Sequence, residues 1–367
     1  MDIGFNNHFT GTQLIKNAST DRNNATDKTK AFHPLRCFYP LGKFLKSMNN
    51  SITDVSGINV GHFTLADGDI QTGVTAILPY PLSMRNRKLF IGSFASGNWN
   101  EWTGLHVAQD FGTFSSPIVL CNSTMVGIAY DALISFGHER EEGLPIDNAW
   151  PPIVIGLDDG YLNDLRQRRI THDDGLRTIK QANDNAVVCG SVGIGRGLCA
   201  LGAKGGVGDA SRQIKIDTKE YMLGVLIAAN GGARKSVENS PQAVSNTPSL
   251  VLILATDFPM LPEQLHQLAE AALRGLDGVV DWHDGTQQLA LAFSTGNTID
   301  GAFERRFQLF KERLPNSELL NQLSKSAGEC SRAALRQALE QKDAVAGRKG
   351  RSVAPLAARE LHRIFSM

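Results

Sequence analysis

The chain lacks both a disulfide framework and a metal-ligand spacing. Its five cysteines (Cys37, Cys121, Cys189, Cys199, Cys330) are odd in number and scattered, mostly through apolar segments. That pattern suits buried thiols in reducing surroundings. No CxxC or HExxH spacing occurs, and the nine histidines follow no recurring interval, so a metal site has no support. Net charge is missing too: 37 basic residues balance 37 acidic ones. A neutral chain offers no electrostatic case for nucleic acid or an anionic membrane surface. No apolar run approaches the roughly 18 residues of a membrane span, and the N-terminus lacks the basic-then-apolar order of a secretory signal. These absences predict a soluble, cytoplasmic protein that works without metal or cofactor.

What is present is an ordinary globular composition, 42% hydrophobic and 20% charged over 367 residues, enough to bury a substantial core. Residues 1–51, rich in Asn, Thr, Asp and Lys, predict a poorly ordered extension. From Ile52 onward the pattern changes to strands separated by glycine turns. Strands are predicted at 58–65, 73–78, 89–94, 117–120, 152–156, 221–229 and 289–293 from short β-rich or alternating runs. Helices are predicted at 125–136 with Gly137 as C-cap, at 171–183, at 262–276 with Pro262 at the first position, and at 331–342. His138 among Glu139, Glu141 and Glu142 reads as a solvated charged turn. Strands and helices do not alternate regularly, which favours a layered α/β sandwich with mixed or antiparallel sheets over a doubly wound sheet.

Two segments invite a chemical reading. The glycine-rich run Gly190–Gly197, followed by Ala203–Gly208, matches neither GxxxxGK[ST] nor a clean GxGxxG, and its glycines read as tight turns and close backbone packing. The second segment is the junction at Ser249. A polar, breaker-rich loop (236–248) gives way there to Leu250–Leu254, an apolar run that predicts a strand buried on both faces. Ser249 is either a simple strand-opening residue or a nucleophile released as a chain terminus by cleavage of the bond before it. A terminal serine is self-sufficient, because its own α-amino group, with a pKa of about 7.7–8.0, can take the hydroxyl proton. Asn230, which precedes Gly231-Gly232, reads by itself as a turn residue.

A resemblance extends over roughly residues 52–365 through collinear blocks. They are ITDVSGINVGH with GDIQTGVTAILP, then GNWNEWTG, SPIVLCNSTMVG, DDGYLND, GSVGIGRG with AKGGVGDASR, YMLGVLIAAN, SLVLILATDFPMLPEQL, LAFSTGN and AGRKGRSVAPL. Together they resemble the DmpA family of self-cleaving aminopeptidases, the L-aminopeptidase/D-esterases and their β-peptidyl aminopeptidase relatives. The resemblance implies a four-layer αββα fold with mixed sheets, one hydrolase domain over 52–367, and self-cleavage between Pro248 and Ser249 into chains 1–248 and 249–367. It implies Ser249 as nucleophile, Asn230 in the oxyanion hole, Thr286 and Gln288 as supporting polar groups, and Glu101 and Asp158 near the substrate. It further implies that a small peptide, amide or ester is the substrate, and that the α/β heterodimers form a homo-oligomer.

Three positions depart from the family pattern. Asp158 stands where relatives have tyrosine, Gln288 where they have a carboxylate, and Pro248 where glycine or another unconstrained residue often precedes the nucleophile. Proline fixes φ near −65° and excludes the positive φ open to glycine. Two alternatives follow: an inactive, uncut homologue serving as a binding or scaffold protein, and an acyltransferase on the same fold.

Overall fold

The computed structural model describes residues 49–79, 87–97, 102–141, 150–216, 218–234, 249–281, 287–300 and 315–366. Ten strands build two sheets: β1 (Ile58–Asp67), β2 (Ile70–Pro79), β3 (Arg87–Ser96), β4 (Thr113–Phe114), β5 (Ile118–Asn122), β6 (Ile153–Leu157), β7 (Gly206–Ile216), β8 (Lys219–Asn230), β9 (Ser249–Thr256) and β10 (Gln287–Asp300). The smaller sheet runs β1-β2-β5-β6 and the larger β4-β3-β10-β9-β8-β7. Both are mixed: β5–β6 and β9–β10 are parallel pairs, and the other pairs are antiparallel.

Three buried clusters show the layering. One joins Val74, Ala76, Val119 and Cys121 of the smaller sheet to helices α2 (Val126–Arg140) and α3 (His172–Lys180), through Ala129, Leu133 and Ile179. A second joins Leu250, Leu252 and Leu254 of the larger sheet to α4 (Pro262–Arg274) and α5 (Ser317–Leu339), through Leu268, Ala272, Ala334 and Ala338. The third lies between the sheets and holds Ile77, Leu120 and Ile155 against Val251, Ile253 and Ala255. Helix, sheet, sheet and helix therefore stack in that order, the expected αββα sandwich. In β9, even positions face the helices and odd positions face the opposing sheet, because successive strand side chains point to opposite faces. The strand is buried on both faces, as its unbroken apolar run predicts.

Local differences from the sequence reading have physical causes. The second helix runs through Gly137 to Arg140, so His138 and Glu139 lie in its last turn and not in a separate turn. Gly137 is needed for packing, since an ideal Cβ there would lie 2.6 Å from Cζ3 of Trp150. In α3, Thr171 is the N-cap of a capping box with Asp174. Helix α5 starts at Ser317, well before the expected 331, with the Asn316 side chain capping Leu319 N–H. The glycine-rich run forms a 3₁₀ turn at Gly193–Arg196 pressed onto β2. Gly193 has φ of 53°, and a Cβ there would meet Thr75 Oγ1 at 2.3 Å. Close approach explains these glycines, as expected. Ser51, at the end of the expected extension, is buried and donates to the Asp209 carboxylate; residues 1–48 lie outside the described residues. Among the described residues no helix is long and apolar enough to cross a membrane.

Candidate active site

The turn chemistry of the sequence brings a hydroxyl and a carboxamide together at one end of the larger sheet. Ser249 is the first residue of β9 and Asn230 the last of β8, and the antiparallel register sets them directly opposite each other. Both sit at the strand parity that faces the smaller sheet, and they are 2% and 1% exposed. Asn230 Nδ2 lies 3.4 Å from Ser249 Oγ. The orientation of the carboxamide is set by its other partners. Cys199 N–H donates to Oδ1 at 3.2 Å, and Nδ2 donates to the Asp158 carbonyl at 2.8 Å. A backbone donor on one side and a backbone acceptor on the other leave a single sensible assignment, with an N–H turned toward the serine. A carboxamide held in this way is a preorganised donor for negative charge developing beside Ser249.

The segments that hold Asn230 carry two buried ionisable groups that sequence reasoning did not single out. Asp159 accepts from Thr72 Oγ1 at 2.5 Å and from Asn163 Nδ2 at 3.0 Å. Burial pushes its carboxyl up to about 7, against the pull of those hydrogen bonds. Lys204 is fully buried, and its ammonium donates to the carbonyls of Gly195, Leu198 and Gly205 at 2.7, 2.7 and 2.6 Å. Three carbonyls match the three N–H bonds of an ammonium, whereas burial draws its pKa down to about 7. The Cys199 thiol is pushed up to about 11 by burial, so it stays protonated and is no rival nucleophile. Asp159 lies in the DDGYLND block and Lys204 in AKGGVG. Only the tertiary packing shows that both sides of the Asn230 carboxamide depend on those blocks.

The remaining sequence-derived candidates separate. Asp158 reaches the site through its carbonyl, and its own carboxylate accepts from Gly160 N–H at 2.8 Å. Gln288 pairs across the sheet with Leu250 and Ser96, at the parity of Ala290 and Ala292, which face the helices. Gln287 is the residue in register with Ser249 and shares its face. No sequence signal marks Gln287, because the parallel β9–β10 register is not legible from residue order. Pro248, Thr286 and Glu101 lie outside the described residues. Among the described residues, no group of three or more His, Cys, Asp or Glu is arranged to hold a metal ion.

Comparison with known proteins agrees with this geometry. Residues 50–353 match the model of Peptidase family S58. The chain is 30% identical to the beta-peptidyl aminopeptidase BapA of Sphingosinicella microcystinivorans over 86% of its own length and 88% of that protein. Its fold is similar to that of a Burkholderia sp. beta-aminopeptidase (TM-score 0.75, 31% identity, 86% of this chain and 93% of that one). It is also similar to the L-aminopeptidase D-Ala-esterase/amidase of Ochrobactrum anthropi (TM-score 0.77, 27% identity, 87% and 94%), described as a prototype of the serine aminopeptidases and a variant of the Ntn hydrolase fold. These matches support an active, self-processing enzyme and give no support to the inactive-scaffold alternative. The relatives named here are aminopeptidases, not acyltransferases. A strand-opening serine faced by a locked carboxamide, on an αββα sandwich with these relatives, places the chain in Peptidase family S58, as a serine aminopeptidase of the N-terminal-nucleophile type.

Proposed function

We propose that the chain cuts itself between Pro248 and Ser249, and that the released Ser249 then removes N-terminal residues from short peptides, amides or esters. The single observation that carries the assignment is the register of Ser249 against Asn230, with the carboxamide N–H held 3.4 Å from Oγ. In the first step Oγ attacks the Pro248 carbonyl carbon. The C–N bond breaks, the Ser249 nitrogen takes up the proton as it becomes a free amine, and an ester remains. Water hydrolyses that ester to give the Pro248 carboxylate and the restored hydroxyl.

In turnover the new α-amine, with an ordinary pKa of about 7.7–8.0, accepts the Oγ proton as Oγ attacks the substrate carbonyl. It returns that proton to the leaving amine or alcohol, and water releases the acyl group. Asn230 stabilises the oxyanion in each tetrahedral stage. In this reading Thr286 supports the amino terminus together with Gln287, which is in register with Ser249 where Gln288 was expected, while Glu101 and Asp158 meet the ammonium group of the substrate. The negative charge of Asp158 suits that cation. In this reading the α/β heterodimers assemble into a homo-oligomer. The free thiols Cys121, Cys189, Cys199 and Cys330 support a reducing, cytoplasmic setting.

A denaturing gel and intact mass of the purified protein test the reading, beside Ser249→Ala and with aminoacyl p-nitroanilides as substrates. The expected result is two fragments meeting at Pro248/Ser249 in the native protein, a single chain in the variant, and turnover only in the former. An intact native chain without turnover would overturn it.

A further inference from the structure

The carboxamide of Asn230 is held by two segments far apart in sequence, the turn at 158–163 and the short hairpin at 199–204. Each is tied to a main sheet, the hairpin through Gly231 N–H on the Cys199 carbonyl and the turn through Thr72 on Asp159, and a third element links the two to each other. The C-terminal hairpin Val345–Gly347/Arg351–Val353 lies against both. Three successive carbonyls of the 158–163 turn are satisfied from it. Gly160 accepts from Arg348 Nη1 at 2.8 Å, Tyr161 from Arg351 Nη1 at 3.1 Å, and Leu162 from Arg348 N–H at 2.8 Å. The Arg351 guanidinium also stacks 4.4 Å over the Tyr161 ring.

The same hairpin grips the other segment. Val345 and Val353 form a buried cluster with Leu162 of the turn and Cys199, whose N–H fixes the carboxamide oxygen. Just past the hairpin, the Ala354 carbonyl accepts from Lys204 N–H at 2.9 Å. The Lys204 ammonium then ties Leu198, the residue before Cys199, to Gly195 and Gly205. Asp158, which accepts from the carboxamide, and Cys199, which donates to it, are therefore joined through Arg348 on one side and Lys204 on the other.

We propose that Arg348 and Lys204 are positioning residues for the oxyanion donor: the C-terminal hairpin sets the 158–163 turn through Arg348, Lys204 sets the 199–204 segment, and together they hold the Asn230 N–H on Ser249. This rests on the reading of Asn230 given above. It assigns the 249–367 chain a second task beyond carrying the nucleophile, because the hairpin acts across the cleavage point on segments of the 1–248 chain.

The test is a double-mutant cycle on processed enzyme, with cleavage checked by mass. Arg348→Met and Lys204→Met keep an unbranched side chain and remove the donors. Each is expected to lower kcat on an aminoacyl p-nitroanilide, up to about 10²-fold as for other displaced catalytic groups, with KM little changed. Arg348→Lys is expected to restore part of the loss. In an Asn230→Ala background the same substitutions are expected to add less than about two-fold, because the group they position is gone. A loss of equal size in that background, or one carried by KM, would overturn the proposal. Where Arg348→Met fails to fold or process, Arg348→Lys and Arg351→Met take its place in the same cycle, with the same two outcomes. A wild-type rate for Asn230→Ala alone would instead sink the reading of Asn230, so the two failures are distinguishable.

Discussion

Asp159 shows how strongly one residue behind the site responds to burial. Its carboxyl is enclosed by Thr72 and Asn163 and pushed to about 7 from the 3.8 of a free aspartate. Between those two values the folded chain keeps a proton that the unfolded chain has released. Stability from this group is therefore full below about pH 4 and is lost as pH rises toward 7, by up to about 1.4 kcal/mol per pH unit. In Asp159→Asn that slope is expected to flatten, since the amide keeps one acceptor for Asn163 and the Thr72 hydroxyl can turn to accept from it. Urea midpoints from about pH 4 to 7, taken on the single-chain Ser249→Ala form with and without Asp159→Asn, measure this. Parallel curves for the two chains would refute it. The same residue illustrates what one-dimensional reading misses. Asp159 stands in the DDGYLND block, but its burial comes from Thr72 and Gly197, which approach from distant segments.

At the level of elements, β7 and α5 are the pair that sequence patterning described least well. GVGDASRQIKI reads as the tail of a glycine-rich run, yet it forms an eleven-residue strand. It does so because β8 pairs along its whole length and α5 covers it. Gly208 permits that cover: a Cβ there would lie 2.1 Å from the Ala334 carbonyl oxygen and 2.5 Å from Ala338 N. Gly208→Ala must push the helix backbone off the strand, and overpacking of this kind costs about 1–3 kcal/mol. Gly127 in α2 is the control, since a Cβ there meets nothing within 4 Å. Gly127→Ala is expected to stabilise by about 0.4–1 kcal/mol. Denaturant unfolding of the single-chain form reads both, and a neutral Gly208→Ala would contradict the packing described. By contrast β1, β2, β8, β9 and α4 were legible, because alternation, an unbroken apolar run or a Pro-initiated 3.6-residue period is written locally.

For the whole molecule, the order of strands decides what cleavage does. The larger sheet runs β4-β3-β10-β9-β8-β7. Residues 249–367 supply its two central strands, and residues before the proposed cleavage point flank them on both sides through β3 and β8. Separation would break two ladders and expose the face of β9 that packs on the smaller sheet. The two fragments are therefore expected to co-elute on gel filtration in native buffer and to part only in denaturant. Dissociation on simple dilution would count against this architecture. The sequence by itself determined the strand that Ser249 opens, its burial on both faces, the neutral charge balance of the chain, and through its collinear blocks the family. Those are properties of local order, composition and motif. Only the tertiary structure decided that Asn230 faces Ser249, that Gln287 and not Gln288 shares its face, and that Asp158, Cys199, Lys204 and the C-terminal hairpin fix the carboxamide. Strand register and the contacts of distant turns are set by which buried faces fit together, and neighbouring residues do not encode that choice.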